Sequence, residues 1–348
     1  MEEKHKSYNQ AIDILRIISI LAVVLIHTTT RTFEMTQNDL GRIPWTLFLN
    51  QASRFAVPLF FMISGFVLEL SHQRYTGYLP YLKRRVERIF VPYVFWSAIY
   101  FLFVYKQHNA SFLTALISGS ASHQLYFIPT LLIFYLIFPF IHKLYPYFSN
   151  NWSLVALGGI EIRLLYQDYY VHPLPYFYPI SVIFLNFFVF ILGSVVANNQ
   201  DKLIKIVGKW KNLLILITIF MAGYIAWQGG RNYFETNNYL AFYSQWRPSV
   251  LIYTISLASI LFYFFKKIKT DYPIIKLLAN LSFFVFFIHV YVMETIWKLV
   301  GNNLAQLTHT QIAQQIWYDP AFFILTIGTS FLIAYLVHKI PYLEKLSG

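Results

Sequence analysis

The chain has 348 residues, 57% of them hydrophobic and only 12% charged, with a formal net charge of +12. A soluble domain carries about twice that charged fraction, so there is too little polar surface here to cover a water-soluble globule. The positive balance does not indicate nucleic acid, because the cations sit in short loops between apolar segments and not on one soluble module with interleaved stacking aromatics.

The solvent is therefore expected to be lipid. Aromatic residues make up 20% of the chain, with 27 Tyr, 34 Phe and 8 Trp, a composition that suits rings at the headgroup belts of a bundle. The absence of cysteine removes disulfides and thiolate metal sites and leaves the redox compartment unreadable. The first apolar stretch has the length of a full span and lacks a small-residue cleavage site, so no cleavable signal peptide is expected.

Apolar segments near the ~20-residue bilayer length recur at about 10–31, 44–70, 87–106, 123–145, 152–170, 176–198, 211–229, 246–265, 276–299 and 318–340. The expected fold is all-α: a polytopic transmembrane bundle of about ten spans, one domain over 1–348, with no soluble domain, low-complexity tract or internal repeat. Glu161, Arg163 and Asp168 interrupt the fifth segment, and Pro173, Pro175 and Pro179 precede the sixth. With both termini cytoplasmic, nineteen of the 27 Lys and Arg fall on the inner side, from Lys4, Lys6 and Arg74 to Lys269, Lys339 and Lys345. The outer loops keep six: Arg31, Arg42, Lys106, Arg231, Arg247 and Lys298. Such a bias obeys the positive-inside rule. Arg54 and Arg163 lie within spans.

Ionisable groups inside a bilayer are costly and are functional candidates by default. The first span reads IDILRIISILAVVLIHTTTR over Ile12–Arg31. Arg16 and His27, eleven residues apart, share one helix face and stand roughly 16 Å apart along the axis. Arg16 either snorkels beside Asp13 or serves function. His27 is either a neutral histidine bonded to a helix carbonyl or the proton acceptor for a hydroxyl nucleophile. Arg54, in NQASRFAVPLFFMISGF, needs an anion, a carbonyl cage or water, since a guanidinium does not readily neutralise itself. Ser64-Gly65 is read as a close helix contact and not as a nucleophile.

YLKRRVERIFVPY over Tyr81–Tyr93 places Arg84, Arg85 and Arg88 at the mouth of the third span, Arg84 and Arg88 on one face by their spacing. Three clustered guanidinium groups followed by Pro92 suit the phosphates of a cytoplasmic ligand. Secondary candidates for substrate binding are His123, Arg163, His289 and Glu294, each with a structural reading ahead of the functional one. Glu161 and Arg163 cannot face each other at this spacing. His5, His72, His108, His142, His172, His309 and His338 are expected to be solvated, and no metal site is expected.

These motifs, in this order and spacing, resemble the acyltransferase-3 family of membrane acyltransferases. The likeness spans almost the whole chain and rests on DILRIISILAVVLIH, SRFAVPLFFMISGFVL, YLKRRVERIFVPY, HQLYFIPTLLIFY, FFVFILGSVVA and LSFFVFFIH. It is strongest toward stand-alone enzymes that acetylate or succinylate exopolysaccharides, of the intercellular-adhesin and enterobacterial-common-antigen kind. The resemblance implies a multi-pass plasma-membrane enzyme that takes an acetyl or succinyl group from cytoplasmic acyl-CoA to a glycan hydroxyl, without a metal. The acceptor would be a cell-surface polysaccharide or its lipid-linked precursor. His27 matches the family's essential histidine, Arg16 the arginine preceding it, Arg54 an arginine of the second-span motif, and Arg84, Arg85 and Arg88 the basic motif for CoA phosphates. His27 would act as base or as transient acyl carrier, with Arg16 or Arg54 stabilising the oxyanion. Many relatives append a soluble hydrolase-like domain that is missing here, so transfer is expected to be direct or completed by another protein. A polysaccharide synthase or export complex, or a second copy of the chain, is the expected protein partner. Two rival readings remain: a transporter of lipid-linked sugar or protons, although no repeated halves are visible, and a non-catalytic scaffold.

Overall fold

The computed structural model describes residues 9–35, 44–72, 77–107, 110–236, 242–268, 270–301 and 316–341. Of the cations counted above, Lys4, Lys6, Arg42, Arg74, Lys269 and Lys345 lie outside the described residues, as do His5, His108, His309 and the side chain of His72. All described regular structure is helical. Seven helical stretches are long and apolar enough to cross a bilayer: Gln10–Glu34, Pro44–Ser71, Tyr78–Val104, Gln200–Glu235, Pro248–Phe265, Pro273–Leu299 and Tyr318–His338. Tyr178–Phe184 and Phe187–Asn198, bent by 51° at their junction, count as an eighth if the pair is taken as one broken span.

The other two expected segments fall outside that measure of length and composition. Phe127–Lys143 has 17 residues, or about 25 Å of rise, short of the ~30 Å hydrocarbon core. Asn151–Tyr166 carries Glu161 and Arg163 within 16 residues.

Helix α1 (Gln10–Met35) is central. It touches α2 (Pro44–Ala52), α3 (Ala56–His72), α13 (Pro248–Phe265), α14 (Pro273–Ile296) and α15 (Tyr318–His338). The second segment, expected as one span, turns at Ser53–Phe55 between α2 and α3, and the break places Arg54. In the third, α4 (Tyr78–Arg85) runs through a π-helical turn, Val86–Phe90, into α5 (Val91–Ile99). Pro92 has no N–H to give the Arg88 carbonyl, and a wider turn just before it accommodates the missing bond. A short α6 (Phe112–Ser118) precedes α7 (Phe127–Lys143). After α8 (Tyr145–Phe148) and α9 (Asn151–Tyr166) come the bent pair α10 (Tyr178–Phe184) and α11 (Phe187–Asn198) and the long α12 (Gln200–Thr236).

The bend between α10 and α11 frees backbone donors that lipid cannot satisfy. Glu161, 2% exposed, accepts from the Phe188 N–H at 2.5 Å, and Asn186 Nδ2 donates back to the Val182 carbonyl at 2.9 Å. Glu161 and Arg163 thus find separate partners, as their spacing requires, Arg163 bonding Gln167 at 3.2 Å. The outward residues of α12 and α15, among them Leu216, Ile219, Phe220, Ile324 and Leu332, are apolar and exposed, as a lipid-facing surface should be.

Helices α3 and α11 meet at reciprocal glycines. A Cβ on Gly65 would stand 2.0 Å from the Phe190 carbonyl oxygen, and one on Gly193 would stand 1.9 Å from that of Met62. Ser64 turns its hydroxyl back to the Phe60 carbonyl at 2.8 Å, in keeping with a packing role for Ser64-Gly65. Gly65→Ala and Gly193→Ala should each cost about 2–3 kcal/mol through overpacking. Gly223→Ala, where a Cβ meets nothing within 4 Å, should be neutral. Thermal unfolding of the purified protein in detergent, followed by size exclusion, reads the difference.

Candidate active site

Two cavities lie at opposite ends of α1. The first, of about 360 Å³, is lined by Arg16, Arg85 and Arg88 together with Ser64, Tyr135, Asn280 and His338. Arg16 keeps its contact with Asp13, 3.3 Å away, and still opens onto this pocket. Arg85 donates to Ser71 Oγ at 2.7 Å and lies 5.6 and 5.4 Å from the ring centres of Tyr81 and Tyr135. Those aromatic faces turn Arg85 inward. Arg84, expected to share a face with Arg88, is exposed and takes no part in the lining. His338, expected to be solvated, borders the pocket. His142, also placed with the solvated histidines, instead contacts the buried Glu69 at 3.1 Å.

The second cavity, of about 820 Å³, holds His27, Arg54, His123 and Glu294 among its walls. Both volumes fall in the range of small-molecule sites, roughly 300–1,000 Å³. His27 forms no hydrogen bond with the described residues, and its ring lies between two others. The centroid of His123 is 4.6 Å away and that of His289 is 5.2 Å away.

His123 comes from the turn between α6 and α7. Gly119 ends α6 in the left-handed region (φ 75°), and a Cβ there would stand 2.4 Å from Tyr126 Cα, so only glycine permits so tight a reversal. His289 is fully buried in α14, its Nδ1 3.0 Å from the Val285 carbonyl. A carbonyl can only accept, so Nδ1 carries the proton and Nε2 is left as an acceptor. Among the described residues no three His, Asp or Glu side chains are arranged to hold a metal ion.

Arg54, 4% exposed, is held without a carboxylate among the described residues. It donates to the Tyr243 carbonyl at 2.6 Å and to Asn50 Oδ1. Asn50 in turn donates to the Ile26 carbonyl and to Thr29 Oγ1, at 3.1 and 2.9 Å, so the guanidinium is tied to the turns of α1 that flank His27. Arg247 was counted as an outer-loop cation and proves fully buried at the start of α13. It bonds Gln51 Oε1 at 2.6 Å, because the chain before α13 folds into the bundle. Arg31 spans Glu34 and Glu294 at the cavity's margin, 3.2 Å from the latter. Arg163 is not among the lining residues.

Sequence reasoning missed Asn50, Gln51, Tyr243 and Arg247. The adjacent amides of NQASR within an apolar run were a signal, since buried amides need partners. No local signal marked the burial of Arg247. The two cavities share Phe60, Phe127 and Phe286 as lining residues.

A family profile described as an acyltransferase domain matches residues 9–335. A Bacillus subtilis (strain 168) protein named as a membrane-bound acyltransferase, YfiQ, is 24% identical over 319 residues, covering 83% of this chain and 82% of its own length. A Staphylococcus epidermidis protein named as a poly-beta-1,6-N-acetyl-D-glucosamine export protein is 22% identical over 309 residues, covering 81% of each chain. No solved structure matches the chain.

Asn50→Ala removes the acceptor for Arg54 and the cross-link to α1, and should lower stability by about 2 kcal/mol, the worth of a hydrogen bond to a charged group. Asn50→Asp restores the acceptor for Arg54 but sets an oxygen in place of the amide donor against the Ile26 carbonyl, and should recover only part of that loss, as read by thermal midpoints in detergent.

Proposed function

The chain belongs to the acyltransferase domain family of membrane proteins, and on that premise we propose that it transfers a short acyl group from cytoplasmic acyl-CoA to a glycan hydroxyl. The acceptor is a cell-surface polysaccharide or its lipid-linked precursor. One observation carries this reading: a single helix carries Arg16 in the wall of an arginine pocket and His27 in the wall of a histidine cavity, the two residues about 16 Å apart along its axis. The arginine pocket faces the cytoplasm in this assignment, which the positive-inside count supports.

Arg16, Arg85 and Arg88 suit phosphate oxygens, which guanidinium groups bind with paired donors. At about 360 Å³ the pocket suits a pantetheine arm, and the nucleotide would rest at the mouth beside the exposed Arg84. In the histidine cavity, His27 takes the proton of the acceptor hydroxyl as its oxygen attacks the thioester carbonyl. Arg54 stabilises the resulting oxyanion, its own geometry held by Asn50 and Tyr243. Collapse breaks the C–S bond, and His27 returns the proton to the departing CoA thiolate. Ester and free CoA are the products.

The relative named for polysaccharide export favours a second reading, in which the larger cavity is a station on a transport path. Accumulation of glycan in vesicles without CoA release would establish it.

The direct test incubates purified protein with acyl-CoA and a β-1,6-linked N-acetylglucosamine oligomer and follows free thiol. His27→Ala should lower turnover by about 100-fold or more, and wild-type rates in that variant would remove His27 as base. Arg85→Ala and Arg88→Ala should each raise KM for acyl-CoA by about tenfold, a contact of ~1.4 kcal/mol, with kcat little changed. Arg84→Ala should have the smaller effect.

A further inference from the structure

Three phenylalanines, and no other described residues, line both cavities: Phe60 on α3, Phe127 at the start of α7 and Phe286 on α14. Phe127 lies 5.9 Å from Phe60 and 5.6 Å from Phe286, centroid to centroid. It is backed at 4.7 Å by Phe61, which is fully buried. Phe127 and Phe286 are both 6% exposed, whereas Phe60 is only half-buried. The wall is therefore two fixed rings and one less restrained ring, contributed by three separate helices. Phe286 also lies 6.3 Å from His289, whose ring is 5.2 Å from that of His27, so the wall adjoins the histidine cluster.

We propose that Phe60, Phe127 and Phe286 form an apolar aperture between donor pocket and acceptor cavity that selects small uncharged acyl groups and excludes charged or long ones. This rests on the acyl-CoA reading above. For an arginine-anchored thioester to reach His27, the acyl group must pass the rings first, because it forms the tip of the arm. Acetyl is small and uncharged. A succinyl carboxylate would have to shed its water among three phenyl rings with no polar side chain shared by the two chambers, and burying an unpaired charge is costly. A long chain is excluded by size alone. The same rings keep the two chambers from joining into one water-filled path, since hydrophobic constrictions dewet, and a glycan is far too large to cross them.

The test uses purified full-length protein with acetyl-, butyryl-, hexanoyl- and succinyl-CoA, comparing wild type, Phe60→Ala and Phe286→Leu. In parallel, proteoliposomes carrying a trapped pH dye report proton leak. Wild type should favour acetyl over succinyl and hexanoyl by about tenfold or more in kcat/KM, in the range of discrimination by apolar pockets. Phe60→Ala should bring hexanoyl and succinyl closer to acetyl and raise the leak, and the milder Phe286→Leu should do so less. Equal use of acetyl and succinyl by wild type would overturn the selection. So would an unchanged profile in variants that elute and melt like wild type. If wild type turned over no thioester, the donor reading itself would fail and the acyl filter with it. The leak assay judges the barrier separately, and unchanged leak in both variants would refute it.

Discussion

Hydrocarbon offers no hydrogen bonds, so each polar group at depth in this bundle must find its partner within the protein. That constraint explains the inner architecture. Arg54 rests on the Tyr243 carbonyl and on Asn50, and Arg247 rests on Gln51. Glu161 receives the Phe188 N–H where the bent span exposes it. Consecutive amides at positions 50 and 51 thereby hold two guanidinium groups, and with them the loop before α13, against α1. A single side-chain network both packs the helices and fixes the cation beside the histidines.

Neutral partners matter for chemistry as well as for stability. A carboxylate against Arg54 would neutralise the charge that an oxyanion could use. Amide and backbone oxygens satisfy the guanidinium while leaving its positive field in place. Arg31 offers the contrast, because Glu34 and Glu294 balance it at the cavity margin. Two arginines bordering one cavity thus have different electrostatic standing.

The fold and the site differed in how legible they were. Hydropathy located the long apolar helices, but it did not find α6 (Phe112–Ser118), which falls between two expected segments. Nor did it show that the second segment turns at Ser53–Phe55 or that Phe127–Lys143 stops after 17 residues, because an average over a window is blind to where a helix breaks. Helical period placed Arg16 and His27 on one face of α1, and the two cavities at its ends agree with that placement. The same period paired Arg84 with Arg88, whereas Arg85, turned inward by Tyr81, Tyr135 and Ser71, is the one that joins Arg88 in the pocket wall. Two of those partners lie far along the chain, so no local rule could have chosen between neighbours.

By itself the sequence determined that this is a helical membrane protein, that α1 carries a cation and an imidazole on one side, and that a basic cluster opens the third span. Each follows from composition or from a period of a few residues. Only the tertiary structure decided that His123 and His289 converge on His27, that Arg247 is buried, and that three phenylalanines line both chambers. Those contacts join positions more than a hundred residues apart in places, and helix packing, which no local pattern encodes, brings them together.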